Sequence, residues 1–168
     1  HPAIAESLNN LAALLRAQGD IAGAKPLYEH ALAIREEVHG PEHPRVATSL
    51  NNLGLLLESL GDYAGARPLF ERSLAIREKV LEPGHPDLAS ALNNLANLFM
   101  SEGDYASARP LYERSLALNE RTLGRAHPGV AAVLNNLAKL LFIQGDYADA
   151  RPMYERALAI REQTLGAE

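Results

Sequence analysis

The chain has no cysteine, no tryptophan, few aromatic residues and no surplus of basic charge. Without Cys there is no disulfide framework and no thiolate chemistry. Aromatics make up 5% of the 168 residues against 47% hydrophobic residues overall, so Leu and Ala must do most of the packing. The formal net charge of −5 argues against nucleic acid as the main partner, because a polyphosphate backbone favours a basic surface. No run of about 18 apolar residues offers a membrane span, and no secretory signal is legible. We expect a cytoplasmic chain that engages neither nucleic acid nor membrane.

What is present is repetition. Leu8-Asn9-Asn10-Leu11 returns as Leu50-Asn51-Asn52-Leu53, Leu92-Asn93-Asn94-Leu95 and Leu134-Asn135-Asn136-Leu137, each step being 42 residues. A fixed period of that length marks a solenoid, in which each unit buries its apolar face on its neighbours. We divide the chain into repeats 1–42, 43–84, 85–126 and 127–168 of a single array. Its ends fall on repeat boundaries, as expected for a segment of a longer array or for a designed chain.

Each repeat reads as two helices, A and B. His43-Pro44 opens helix A, since proline's missing N–H is not needed in a first turn. Gly61-Asp62 ends it and starts helix B: glycine permits a left-handed terminus, and Asp is a strong N-cap. The same Gly-Asp break stands at 19–20, 103–104 and 145–146. On helix A of repeat 1, Leu8, Leu11, Ala12, Leu14 and Leu15 share one face at helical periodicity. Glu6, Asn9, Asn10, Ala13, Arg16 and Ala17 share the opposite one. Helix B carries Tyr63, Ala66, Phe70, Ser73, Leu74 and Ile76 as its stripe. Pro26, Pro68, Pro110 and Pro152 lie inside the B helices, where each removes one backbone hydrogen bond and predicts a modest bend. The predicted fold is all-α: a right-handed superhelical solenoid of four antiparallel helix pairs.

The order Leu50…Leu53-Gly54…Gly61-Asp62-Tyr63…Ala66…Phe70…Ser73-Leu74 resembles the tetratricopeptide repeat. That family's usual unit is 34 residues. The longer period here, with His-Pro, Leu-Asn-Asn-Leu, Gly-Asp-Tyr and Leu-Ala-Ile-Arg-Glu, resembles its kinesin-light-chain-like branch. The resemblance implies a non-catalytic adaptor that holds an extended peptide on its concave face. Two departures stand out. Ile21 replaces the usual Tyr, and Asn119 stands where the other repeats have Arg35, Arg77 and Arg161.

The eight amides call for a reason, since Asn in a helix costs up to roughly 0.7 kcal/mol relative to Ala. An amide has one acceptor and two donors, which suits the backbone of an extended peptide. Packed helices lie about 8–10 Å apart and an extended chain advances about 3.3 Å per residue. One contact per repeat would then meet about every third peptide residue. The alternative is that the amides bridge neighbouring helices. Arg35 and Arg77 fall on the apolar side of late helix B, where a guanidinium needs a partner. They could meet acidic ligand groups, as the resemblance implies, or a Glu of the next repeat.

Around the amides the lining varies: Ala13 and Arg16, then Leu55 and Glu58, then Asn97 and Met100, then Lys139 and Phe142. That variation suits a protein or peptide partner that is acidic and carries an apolar or aromatic anchor. No nucleophile–base pair or phosphate-cradling loop is legible, so neither an enzyme nor a cofactor is expected. His1, His43, His85 and His127 are a repeat apart and read as helix starts, not metal ligands; His39, Glu42 and His43 cluster in one repeat only. The last B helix presents Tyr147, Ala150, Tyr154, Leu158 and Ile160 without a successor. This leaves end-to-end self-association as the alternative function.

Overall fold

The computed structural model describes residues 1–166. Among them lie eight α-helices and no strand: α1 (Pro2–Ala17), α2 (Ile21–His39), α3 (Pro44–Ser59), α4 (Tyr63–Val80), α5 (Pro86–Glu102), α6 (Tyr105–Leu123), α7 (Pro128–Ile143) and α8 (Tyr147–Leu165). The odd-numbered helices are the A helices and the even-numbered ones the B helices. The chain divides into two compact units, His1–Leu81 and Glu82–Glu168. Each holds two helical hairpins, stacked so that the B helix of the first packs on the A helix of the second. None of the described helices is long and apolar enough to cross a membrane.

The helix boundaries follow from capping chemistry. Asp20, Asp62, Asp104 and Asp146 each accept a hydrogen bond from the backbone N–H three residues on, at 2.9, 3.0, 3.1 and 3.4 Å. The glycines before them sit at φ between +75° and +84°, a region closed to most side chains. At the A helices the cap is the imidazole. Nδ1 of His1, His43, His85 and His127 accepts from the N–H two residues on, at 3.0–3.2 Å. The His-Pro pair is thus a complete start signal: an acceptor, then a residue with no N–H to satisfy. The B helices run uninterrupted through their prolines.

In unit 1 the core forms where Ala12, Ala24 and Tyr28 meet Leu53 and Leu56, with Leu27 and Leu32 against them. A second cluster joins Val46, Ala47, Leu50 and Ile76, again touching Leu32. Unit 2 repeats the pattern with Val130, Ala131, Leu134, Ala157 and Ile160, against Leu116 and Met153. Burying one such Leu or Ile is worth about 1.5–3 kcal/mol. Two polar members of the B stripe are satisfied within it: buried Ser73 and Ser115 donate to the carbonyls of Ala47 and Ala89, both at 2.8 Å.

Two expectations need correction at the outer helices. Leu11 and Leu14 of α1 are 48% and 53% exposed, whereas the equivalent Leu53 and Leu56 are 6% and 0%. The face is apolar in every A helix, but in α1 no B helix covers it. On α8, Tyr147, Tyr154 and Leu158 are exposed as expected, but Ala150 and Ile160 are buried, Ile160 within the cluster that includes Val130 and Leu134 of α7.

Candidate functional site

The amides occupy the faces of the A helices beside the packed seams. Asn9, Asn51, Asn52, Asn93, Asn94, Asn135 and Asn136 are half-buried, and Asn10 is exposed. The register is such that the second Asn of one repeat reaches the first Asn of the repeat before. Asn52 Nδ2 donates to Asn9 Oδ1 at 2.8 Å, and Asn136 Nδ2 donates to Asn93 Oδ1 at 3.1 Å. The bridging alternative therefore accounts for part of the hydrogen-bonding capacity of these four side chains. At Asn9, Asn52 and Asn93 further amide valences lie on a partly exposed face, because an amide can make more than one hydrogen bond.

In unit 2 the network extends. Asn136 Nδ2 also donates to Asn97 Oδ1 at 3.2 Å, and the Tyr112 hydroxyl donates to that same oxygen at 2.6 Å. These three residues, with Met100, Ser101 and Lys139, line a depression of about 180 Å³. Its floor is polar and fixed. Its rim offers an apolar thioether and an ammonium. Tyr112 reads from sequence as core filling, and its ring is indeed buried; its hydroxyl is the part missed. The signal was Asn97, a polar residue opposite an aromatic one where the other repeats carry Ala13, Leu55 and Lys139.

Unit 1 holds a depression of about 310 Å³ lined by Pro2, Glu6, Asn10, Arg35, Arg45 and Thr48. Arg35 is half-buried and donates to Ser49 Oγ at 2.8 Å and to the Arg45 carbonyl at 3.2 Å. It thus ties α2 to α3 through neutral acceptors, neither a ligand acid nor a neighbouring Glu. Burial, and then the nearby Arg45 charge, lower its pKa; Glu6 opposes that shift. Arg77 is 7% exposed, so its guanidinium is less open to a ligand than Arg35.

The varied positions are also placed. Arg16, Glu58, Met100 and Phe142 share one register on α1, α3, α5 and α7. Arg16 is exposed, and Glu58 and Met100 are half-buried. Burial pushes the Glu58 carboxyl above its ordinary value. Leu55 is half-buried and Lys139 exposed. Phe142 is exposed and its ring lies 5.4 Å from that of Tyr147, tilted by 56°. His39 and His43 stack at 4.5 Å, and no group of three metal-ligating side chains occurs among the described residues.

Known proteins share this fold. A tetratricopeptide repeat family model matches residues 3–79, 46–99 and 87–163. The curated proteins contain no match. Among solved structures, BtubC (BKLC) from P. vanneervenii superposes with a TM-score of 0.89 at 27% identity, covering 100% of this chain and 67% of that one. A Podosopora anserina protein with nearly identical, kinesin-light-chain TPR-like repeats gives 0.84 at 29% identity, covering 99% and 79%. A second crystal structure of such repeats gives 0.67 at 22% identity, covering 99% of both chains, and shares the fold. With its four 42-residue helical hairpins, amide pairs and capped turns, the chain belongs to the tetratricopeptide repeat family.

Proposed function

We propose that this chain is a cytoplasmic, non-catalytic scaffold whose A helices hold an extended, partly acidic segment of another protein. Tetratricopeptide repeats serve generally as protein–protein interaction modules, and that coarser role follows from the family. The observation that carries the finer reading is the contrast on one surface. The Asn pair recurs in all four repeats, while the positions around it change from Ala13 and Arg16 to Lys139 and Phe142. A constant set of backbone-matching amides with a variable surround is what sequence-selective recognition of an extended chain requires.

In unit 2 the amides of Asn97 and Asn136 lie beside Lys139 and Met100. A ligand carboxylate at Lys139 and an apolar side chain on Met100 fit that rim. The test is a peptide-library selection, followed by affinities for the selected sequence. Lys139→Glu should weaken an acidic ligand by at least about tenfold, since it replaces attraction by repulsion at one site. Its thermal midpoint should stay unchanged, because Lys139 is exposed. Equal affinity of the two proteins for an acidic ligand would overturn the reading.

A further inference from the structure

Asn97 is the odd member of its register. The same place on the other A helices holds Ala13, Leu55 and Lys139, none of them an amide. An Asn side chain can turn end for end, and only its neighbours decide which way its oxygen and nitrogen face. Here two neighbours decide it together. Asn136 Nδ2 donates to Asn93 Oδ1 at 3.1 Å and to Asn97 Oδ1 at 3.2 Å. The Tyr112 hydroxyl donates to that same Asn97 oxygen at 2.6 Å. Reversed, Asn97 would set its own N–H groups against those of Asn136 and take the acceptor away from the Tyr112 proton.

With its oxygen engaged twice, Asn97 has its nitrogen as the open end of the side chain. Among the described residues that nitrogen has no acceptor, and the exposed ammonium of Lys139 has no carboxylate partner. No carboxylate lines the depression that these two residues share. Its unspoken-for groups at Asn97 and Lys139 are therefore all donors. A ligand carboxylate satisfies both, one oxygen on an Asn97 N–H and the other on the ammonium. A carboxamide of the same shape has one oxygen only, and turning it to either group sets its NH2 against the other, donor against donor.

We propose that Tyr112 is a positioning residue that makes this depression select a ligand carboxylate over the matching carboxamide. The inference rests on the peptide-holding role proposed above and adds which ligand group is read and what fixes the reader. Tyr112 is 1% exposed, so it acts through Asn97 and not on the ligand. Without its hydroxyl, Asn97 is held by the 3.2 Å bond from Asn136 alone. The amide can then turn its oxygen to a ligand NH2, and the discrimination weakens while the ammonium of Lys139 stays. The frame tolerates the loss of the hydroxyl, because repeat 2 carries a buried Phe70 at the equivalent place.

The test compares the isotope-labelled 168-residue chain with its Tyr112→Phe variant by nuclear magnetic resonance of the side-chain amides. The Asn97 signal is identified by its loss in Asn97→Ala. Without any ligand, nitrogen relaxation should show Asn97 Nδ2 as ordered as the α5 backbone in the wild type and mobile in Tyr112→Phe. The probes are N-acetylglutamate amide and N-acetylglutamine amide, titrated to their solubility limits. In the wild type the glutamate derivative should shift Asn97 Nδ2 saturably and bind at least about tenfold tighter than the glutamine derivative, since it makes charged hydrogen bonds. In Tyr112→Phe that preference should shrink by about fivefold, the difference between a charged and a neutral hydrogen bond, with the circular dichroism unchanged. Three outcomes overturn the proposal: equal order at Asn97 Nδ2 in both proteins, an equal preference in both, or no shift of Asn97 Nδ2 by the glutamate derivative. A library selection that yields no peptide counts against the peptide-holding role alone, because none of these readouts uses a selected sequence.

Discussion

At the scale of single residues, two side chains sit in environments that oppose their charge. Burial raises the Glu58 carboxyl, so ionising it costs more in the folded state than in the unfolded chain. The cost is absent below the unfolded pKa and grows as pH rises through the folded value. Glu58→Gln should therefore raise the urea midpoint at pH 7, and the gain should vanish near pH 4. His39 is the converse case. Burial, then the charges of His43, Arg45 and Arg35, lower its pKa. The unfolded chain then takes up the proton first, so stability is full above about pH 6.5 and falls as pH drops from there towards the folded value. A pH series of urea midpoints should show a shallower acid loss for His39→Asn than for the wild type.

At the scale of helices, the structure depends on how closely each A helix meets its own B helix. Gly54 of α3 faces Phe70 of α4, and a Cβ there would lie 2.9 Å from the ring. The other repeats place Ala12, Ala96 and Ala138 at this position. Alanine would gain about 1 kcal/mol in helix propensity, but overpacking a filled core costs typically about 1–3 kcal/mol. Gly54→Ala should therefore be neutral to destabilising despite matching its neighbours. Pairing it with Phe70→Leu should recover stability, and thermal melts of the two variants would show whether it does.

At the scale of the molecule, the repeat period was enough to place all eight helices, because Gly-Asp and His-Pro punctuate it chemically. The core was legible for the same reason: a residue buried in one A helix is buried in the next unless the covering helix is missing. That exception is why Leu11 and Leu14 lie open although their sequence matches Leu53 and Leu56. The seam chemistry was less legible. Nothing in the order of residues says that Asn52 reaches back 43 positions to Asn9, or that Arg35 finds Ser49 instead of a carboxylate; those pairings depend on the offset between stacked helices. Coverage should also set local stability. Hydrogen exchange should be faster in α1 than in α3 and faster in α8 than in α7, since the outer members of each comparison pack on one side only. Equal protection would mean that their exposed faces are covered in solution.

The amide bridges have an arrow. In both units the nitrogen belongs to the later repeat and the oxygen to the earlier one. At Asn9 and Asn93 the oxygen is engaged and the nitrogen is left to give; at Asn52 and Asn136 the oxygen is left to receive. Within each unit the two partners of a bridge therefore differ in what they leave open, and a backbone threaded one way past them meets a different order of givers and receivers from the same backbone reversed.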